Sequence, residues 1–383
     1  MTIATSILPD EDVAAACQIV AAHREHGERT GQLHRAVWAA LAQCDLARAC
    51  LPETLGGLEV APPRLLEVVT ALARADASAG WVAGIHAPAG IFAGLLPEAA
   101  AAAVVGATPG EPVWIGGSSQ PAGTALRVPG GFRLSGSWPL VTGAHQLDVA
   151  FLAARLSESG EQPPRVAWLC LRRGDWEVRP DWGAHGLRGT DSSTLTVRDA
   201  AVAADHVVDL AADQTRARTP LSRFPRYGLL ACCLAAVAAG TAEHARQVYG
   251  ELAIRHQPRH GPGTLADQPT AQITAAECTA RLTAARLYLT DTVDTAWQAA
   301  LAGPVPEALR AGLRLAAAET TSAAIAVTRS LFEACGSAAV YANARLEGCM
   351  RDLAVIGCHA LLAAPGRQRA GRYLLTSDCA KDL

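Results

Sequence analysis

Two histidines, His86 and His359, carry the side chains in this sequence that are best suited to chemistry. Neutral imidazole can accept or donate a proton near pH 7, so it can act as a base or as a hydrogen-bond donor. Each histidine stands in an alanine-containing stretch that predicts a helix. A lone histidine on such a helix is usually a tolerated core or boundary residue, so each needs support from the sequence around it.

The composition argues against several classes of protein. Half of the 383 residues are hydrophobic and 18% are charged, which is typical of a folded chain with a large core. The net charge of −3 argues against a nucleic-acid partner. The longest apolar stretch, Leu229 to Gly240, is shorter than the roughly 20 residues that span a bilayer. Because no signal peptide is visible near Met1, we expect a cytoplasmic protein without a membrane partner.

Neither a metal site nor a nucleotide-binding loop is evident. The eleven cysteines are odd in number and lack paired spacing, which predicts reduced thiols. Cys349 and Cys358 fall on opposite faces of one predicted helix, so they predict no metal site. Gly261-Pro262-Gly263 lacks the third glycine of a dinucleotide-binding turn. Reducing equivalents must therefore reach any redox site on another cofactor.

The chain divides into three zones, which predict an α+β multidomain fold. Residues 1–111 show helical periodicity, residues 112–212 alternate β-branched runs with glycine and proline, and residues 213–383 are helical again. Pro129-Gly130-Gly131 predicts a hairpin. The last zone predicts a four-helix bundle, and the middle zone a small β-barrel or sandwich. The bundle helices are predicted at Tyr227–His256, Ala271–Ala302, Glu307–Ala334 and Leu346–Ala363.

Several segments, in order along the chain, resemble acyl-CoA dehydrogenases and the flavin monooxygenases built on their fold. They are Leu51-Pro52-Glu53 with Gly56-Gly57, the stretch from Arg74 to Trp81, the stretch from Gly131 to Trp138, Val141-Thr142-Gly143, the stretch from Gly186 to Ser192, and Arg351-Asp352-Leu353. Six segments in the right order are more specific than any one alone. The resemblance implies the acyl-CoA dehydrogenase-like fold over almost the whole chain.

The position of His359 favours a monooxygenase. Many dehydrogenases of this fold carry a glutamate base eight or nine residues after the Arg-Asp pair, where this chain has His359 and Ala360. This chain resembles the dibenzothiophene-type and phenol-type monooxygenases, which carry a histidine at the position of His359. A dehydrogenase stays open as an alternative, since other dehydrogenases place the base on the first bundle helix, where Glu243 and Glu251 lie.

His86 strengthens the same resemblance. The monooxygenases carry a second histidine after a Trp-x-x-Gly motif, which Gly84-Ile85-His86 matches. The resemblance implies that His86 and His359 meet over the flavin. We expect His359 to be the base that deprotonates the substrate, and His86 to position the substrate or the flavin C4a-hydroperoxide.

The resemblance also implies a set of flavin-binding residues. Thr142 and Gly143 match a Ser-Gly pair that contacts flavin N5, although the pair could be an ordinary turn. Trp138 is implied beside the flavin ring, with a core tryptophan as the other interpretation. The remaining candidates are Ser118, Ser119, Arg255 and Gly336. Arg255 matches an arginine that reaches the flavin phosphate, often from another subunit, and Gly336 could equally cap a helix.

The implied function is the oxygenase component of a two-component, flavin-dependent monooxygenase (group D). It would use FADH₂ or FMNH₂ from a separate reductase, together with O₂, to hydroxylate an aromatic or heteroaromatic metabolite or to N-oxygenate an amine, and we expect this reaction to belong to secondary metabolism. The fold implies a homotetramer built as a dimer of dimers. The alternatives are an FAD-dependent acyl-CoA or acyl-carrier dehydrogenase and a flavin-free interaction protein.

Overall fold

A computed structural model describes residues 8–106, 111–157, 165–209, 219–257, 263–340 and 345–377. Within these ranges the chain forms helices, then a sheet, then helices again. The helices are α1 (Asp10–Thr30), α2 (Arg35–Gln43), α3 (Pro62–Ala75), α4 (Ala77–Ala89), α5 (Glu98–Val105), α6 (Pro220–Arg223), α7 (Arg226–Ala253), α8 (Pro269–Ala302), α9 (Glu307–Cys335), α10 (Arg345–Gly357) and α11 (Ala364–Thr376). The strands are β1 (Ile115–Val128), β2 (Gly131–Val141), β3 (Val149–Ser157), β4 (Val166–Arg172), β5 (Glu177–Arg179), β6 (Ser193–Ala203) and β7 (Val207–Val208). This order matches the predicted fold class.

The strands form one mixed sheet in the order β5-β6-β2-β1-β3-β4-β7. β1 pairs in parallel with β3, and the other neighbouring strands are antiparallel. The predicted hairpin joins β1 to β2 with Val128 opposite Gly131, and Gly130 takes the positive φ of 81° that the turn requires. β1 is one long strand, interrupted by an irregularity between Ser118 and Gly123.

The sheet is buried on both faces at its centre, as β3 illustrates. Leu152 and Ala154 belong to the hydrophobic core on one face of the sheet. Phe151 and Ala153, on the other face, pack with residues of the N-terminal helical zone. This alternation is the period of two expected for a strand. Phe92 stacks on Trp168 with ring centroids 4.8 Å apart, which anchors the chain after α4 against the sheet.

α4 is the most enclosed helix of the first helical zone. It is apolar on all sides, which is typical of a helix buried in the centre of a protein. Asp76 caps its first turn by accepting a hydrogen bond from the Ser78 backbone N–H at 3.2 Å. Gly80 lets it approach α3, because a Cβ atom at Gly80 would lie 2.5 Å from the Ala73 Cβ. α4 can therefore present side chains to both the sheet and the bundle.

α7, α8 and α9 form the long up-down-up part of the bundle. Tyr249 near the end of α7 donates to the Ala271 carbonyl at the start of α8. Thr320 donates to the Ala285 carbonyl, and Cys278 approaches the Val327 carbonyl, so α8 also runs antiparallel to α9. α7 and α9 are consequently parallel. α7 is long and apolar enough to cross a membrane, but 83% of its most apolar window is buried among the other helices, as expected for a core helix.

The predicted helix Leu346–Ala363 is shorter in the structure, a correction that matters for His359. α10 ends at Gly357, and Cys358 and His359 then donate to carbonyls only three residues back, Val355 and Ile356, each at 3.1 Å. Such tightened bonds are typical of a helix end. Pro365, in the first turn of α11, starts a new helix. His359 therefore lies in a turn between two helices.

Candidate active site

Trp81 of α4 joins the sheet to the bundle. Its indole Nε1–H donates to the Thr142 hydroxyl oxygen at 3.1 Å, and its ring meets the His359 ring edge-on with centroids 5.5 Å apart. Thr142 lies 3.2 Å from the Ser192 hydroxyl, and Ser192 lies 2.8 Å from the hydroxyl of Thr190. All three hydroxyl residues are buried, so their geometry is fixed by mutual hydrogen bonds.

His86 is buried at the other side of the Thr142–Gly143 segment. Its Nδ1 lies 2.8 Å from the Ile115 carbonyl oxygen. Because a carbonyl only accepts, Nδ1 carries the proton and Nε2 presents a lone pair. That Nε2 atom is buried without a hydrogen-bond partner. Burial lowers the pKa of His86 to about 4, so the ring is neutral at pH 7.

Two tryptophans enclose the His86 ring. Trp38 and Trp114 each lie edge-on to it with centroids 5.8 Å away, and they lie 4.9 Å from each other. A neutral imidazole in an aromatic cage is shielded from water, which explains why protonating it is unfavourable. Within this enclosure, His86 Nε2 is a hydrogen-bond acceptor without a partner.

Gly143 is the residue that makes room for the His86 ring. It has a φ of +64°, and a Cβ atom there would lie 2.7 Å from His86 Nε2. Its backbone N–H donates to the Thr190 carbonyl at 2.9 Å. Glycine is thus required twice, for the left-handed backbone and for the close approach of the imidazole.

His359 has the opposite tautomer from His86. The Leu361 backbone N–H donates to His359 Nδ1 at 3.3 Å. Because an N–H only donates, Nδ1 is unprotonated and Nε2 carries the proton of the neutral ring. Burial, and then the positive charge of Arg314, lower the pKa of His359 to about 4. At pH 7 His359 can therefore offer an N–H donor, while the lone pair of its other nitrogen is engaged.

The loop from Gly186 to Ser192 ties the sheet to α10 and α4. Asp352 accepts a hydrogen bond from the Leu187 N–H at 2.6 Å, and the Ser78 hydroxyl accepts one from the Gly189 N–H at 3.2 Å. A Cβ atom at Gly186 would lie 2.2 Å from the Arg351 carbonyl oxygen, so this approach needs glycine. Three of the segments quoted for the resemblance thus meet in one place.

Trp138, Ser118 and Ser119, which were also predicted to bind flavin, do not lie in the cluster formed by Thr142, Trp81 and His359. Trp138 is fully buried within the sheet, where its Nε1–H donates to the Ala153 carbonyl at 2.8 Å. It has no ring face at a surface, so the interpretation as a core tryptophan is the one that its position supports. Ser118 is half-buried and Ser119 exposed at the β1 irregularity, beyond Gly116, where a Cβ atom would lie 3.2 Å from the His86 ring.

Arg255 and Gly336 lie away from the two histidines. Gly84 of α4 packs on Val237 in the middle of α7, and Arg255, exposed after the end of α7, is roughly 25 Å farther along the helix axis. Gly336 is exposed at the end of the parallel helix α9, with a φ of +55°. Within one subunit neither residue lies near Trp81.

Several residues of this site were not among the predicted site residues. Trp81 stood inside a quoted segment, but nothing in its neighbourhood signalled that it would contact both Thr142 and His359. Thr190 and Ser192 were similarly quoted only as part of a turn. Trp38 and Trp114 carried no sequence signal, since they lie far apart in the sequence and come together, with His86, only in the folded chain.

The carboxylates considered for a dehydrogenase are engaged elsewhere. Glu243 of α7 forms an ion pair with Arg286, and both line a groove of about 1270 Å³ between α1, α3, α7, α8 and α10. Glu251 accepts a hydrogen bond from Gln247 at 3.0 Å. Across the described ranges, no group of three or more His, Cys, Asp or Glu side chains has a metal-binding arrangement.

Comparison with known proteins assigns the class. Residues 11–96 match the family "Acyl-CoA dehydrogenase, N-terminal domain", and residues 232–364 match "Acyl-CoA dehydrogenase, C-terminal domain". Together they cover more than half of the chain. Indole-3-acetate monooxygenase of Pseudomonas putida is 29% identical over 90% of this chain and 87% of its own length. Pigment production hydroxylase of Rhodococcus erythropolis is 29% identical over 93% of both chains.

The solved structures agree. XiaF from a Streptomyces species, in complex with FADH₂ and glycerol, superposes with a TM-score of 0.90 at 26% identity over 96% of this chain and 95% of that chain. HsaA monooxygenase of Mycobacterium tuberculosis gives a TM-score of 0.88 at 24% identity over 97% of this chain and 99% of that chain, a likeness of fold. The fold is therefore that of the acyl-CoA dehydrogenases. Within it, this chain belongs to the flavin-dependent monooxygenases and is an oxidoreductase.

Proposed function

We propose that the chain is the oxygenase component of a two-component system, which takes reduced flavin from a separate reductase and oxygenates an aromatic or heteroaromatic substrate. The observation that carries this proposal is the unpartnered, buried Nε2 of His86 beside Thr142 and Gly143, with Trp81 linking Thr142 to His359. His86 thus offers an acceptor, Thr142 a hydroxyl and His359 an N–H donor, from three parts of the chain.

These residues suit a reduced flavin, FADH₂ or FMNH₂. When bound, it would supply the two electrons with which O₂ transfers one oxygen atom to the substrate while the other leaves as water. Thr142 and Gly143 would hold the ring, with Ser118 and Ser119 on the adjoining strand β1. The Thr142 hydroxyl fits this task because its partners are side chains that can share a hydrogen bond, Trp81 and Ser192.

The tautomers suggest an exchange of the roles expected from the sequence. His86 presents a lone pair, so we assign it the acceptor role toward a substrate or oxygen proton. His359 presents Nε2–H, so we assign it the donor role toward developing negative charge. The pKa of about 4 at both rings keeps them neutral, and a neutral His86 is the form able to accept a proton.

The enclosure by Trp38, Trp81 and Trp114 serves the same chemistry. Water near a reactive oxygen species promotes its unproductive loss, and apolar walls exclude water. Trp38, Trp81 and Trp114 are each at most 8% exposed, so the walls are packed before any ligand binds.

We also propose self-association, with the homotetramer of this fold as the expected state. Apolar side chains stay exposed on α8 and α11, including Ile273, Leu287, Leu374 and Leu375, each more than half exposed. Arg255 and Gly336, which lie far from Trp81 within one chain, would then reach a flavin only from a neighbouring subunit. Sedimentation equilibrium of the full chain tests this, and a monomer at micromolar concentration would contradict it.

The deciding experiment supplies chemically reduced FMN or FAD to the purified chain without oxygen, then adds ¹⁸O₂ and a panel of indoles and phenols. We expect a product that carries one ¹⁸O atom, and H86N should lower its yield while the variant still binds flavin. Hydrogen peroxide alone with every substrate would contradict oxygenation of this substrate class. Reduction of oxidised FAD by an acyl thioester would establish a dehydrogenase instead.

A further inference from the structure

Arg314 of α9 is a buried cation without a counter-ion in the part of the chain that the structure describes. Arg314 is only 1% exposed to solvent. Nη1 donates to the Tyr227 carbonyl at a long 3.4 Å, whereas Nε and Nη2 are buried without any partner. Its electrostatic neighbours are Arg369 and Cys232, and burial followed by Arg369 lowers its pKa.

Such an arrangement is unfavourable unless something completes it. Removing a guanidinium from water costs several kcal/mol, and an unpaired buried charge recovers little of that cost. Buried arginines in proteins are normally paired with carboxylates. The main reason to retain Arg314 is therefore a partner that the described part of the chain does not itself provide.

The two unpartnered nitrogens are the pair that recognises a carboxylate. Nε–H and Nη2–H lie along the same edge of the planar guanidinium and can donate two parallel hydrogen bonds to the two oxygens of one carboxylate. Nη1, on the other side, is the nitrogen already directed to Tyr227. The two unpartnered nitrogens, Nε and Nη2, therefore match a planar anion with two acceptor oxygens better than an acceptor with one.

Arg314 lies next to the turn that carries His359. A Cβ atom at Gly366, in the first turn of α11 after that turn, would lie 3.8 Å from the Arg314 carbonyl oxygen and 3.2 Å from that of Leu361. One turn farther along α9, the Ala318 carbonyl accepts a hydrogen bond from Nη2 of Arg367 in α11 at 3.1 Å. The charge of Arg314 also contributes to the low pKa of His359, which places the two side chains in one electrostatic environment.

We propose that Arg314 binds a carboxylate of the substrate, so that the chain acts on an aromatic acid whose ring lies by His359 and whose carboxylate is held by the Nε and Nη2 fork. This proposal rests on the proposed function. The fork orients the ring by its anionic end, and the substrate neutralises the buried charge as it enters. A neutral analogue leaves Arg314 unpaired and so binds weakly.

The experiment measures ligand binding without flavin. Isothermal titration and thermal unfolding of the full chain compare benzoate, phenylacetate and indole-3-acetate with their neutral amides. We expect at least one acid to bind the wild type at least about 10-fold more tightly than its amide, the size expected for a charged hydrogen-bonded pair. R314M should remove that preference, and R314K, which keeps the charge but loses the fork, should retain only part of it.

R329M is the matched control, because Arg329 lies on the same helix but is exposed and paired with Glu333 at 2.8 Å. It should bind the acid as the wild type does. The proposal is overturned if no acid binds better than its amide, or if R314M binds the acid as tightly as the wild type. It is also overturned if R314M loses affinity for FMN and not for riboflavin, since the flavin phosphate would then be the anion.

These outcomes are separate from those that test oxygenation. The binding comparison uses neither flavin nor O₂, so its result does not depend on whether the chain oxygenates the acid. A chain that binds the acid through Arg314 but yields no ¹⁸O product would refute the proposed function alone. A chain that oxygenates neutral indoles and their acids equally would refute the carboxylate site alone.

Discussion

The carboxylate of Asp352 accepts a hydrogen bond from the backbone N–H of Leu187 at 2.6 Å, and so joins α10 to the loop between β5 and β6. Asp352 is the acidic member of the Arg-Asp pair that carried part of the sequence resemblance. Its role in the structure is to hold the bundle against the sheet beside Thr190 and Ser192. The site therefore depends on a contact between residues that are distant in sequence.

Asp352 should make stability depend on pH. Burial raises the pKa of its carboxyl to about 7, against an ordinary value of 3.8. Between these values the folded chain holds more protons than the unfolded chain, so the free energy of unfolding falls as pH rises from about 4 to 7. D352N should gain stability relative to the wild type across this range, as measured by urea unfolding. D291N, a change on the exposed face of α8, serves as the control, and parallel pH curves for D352N and the wild type would contradict the prediction.

His359 can be tested by comparing two amides. The glutamine amide nitrogen can occupy the position of His359 Nε2 and donate a hydrogen bond, whereas the shorter asparagine amide cannot reach that position. If Nε2–H is the working group, H359Q should keep a substantial fraction of the oxygenation rate, and H359N should lose about 100-fold or more, as expected for a lost donor to developing charge. Equal losses in single-turnover product yield would argue against the donor role.

The sequence predicted the long helices well because their periodicity is strong and proline marks their ends. The predicted α9, Glu307–Ala334, differs from the observed Glu307–Cys335 by one residue. The hairpin at Pro129-Gly130 was predicted for an equally local reason, since its turn needs a positive φ at glycine. The family resemblance selected His86 and His359 as candidates, but their contacts were not predictable.

What the sequence could not show depends on contacts between distant elements. The alanine pattern continues through Ala360 and Ala364, so periodicity does not mark the turn in which His359 lies. Arg314 looks like any surface arginine of an alanine-rich helix, and only the packing of α7 and α11 around it reveals that it is buried. The tautomers of His86 and His359 likewise depend on backbone groups of Ile115 and Leu361.

Gly143 can be tested against a second glycine with the same backbone requirement. Gly130 has a φ of +81°, and a Cβ atom there would meet nothing within 4 Å, so G130A should cost only the strain of about 1–2 kcal/mol. G143A adds the clash with His86 Nε2 and should be the less stable variant. It should also lose flavin binding, measured by fluorescence titration, whereas G130A should keep it. The same flavin affinity in both variants would contradict a role for the Gly143 segment in the site.

The pH dependence of oxygenation should reflect the burial of His86. Its pKa of about 4 means that the Nε2 lone pair is available throughout the neutral range and is lost only as pH falls toward 4. With reduced flavin and substrate saturating, product formation in a single turnover should therefore show no inflection from His86 between pH 8 and about 5. H86N lacks this titrating group, so any further fall of its lower yield near pH 4 would come from His359, whose pKa is also about 4. An inflection near pH 6.5 that is present in the wild type and absent in H86N would mean that water reaches the ring, and that Trp38 and Trp114 do not shield it as the structure indicates.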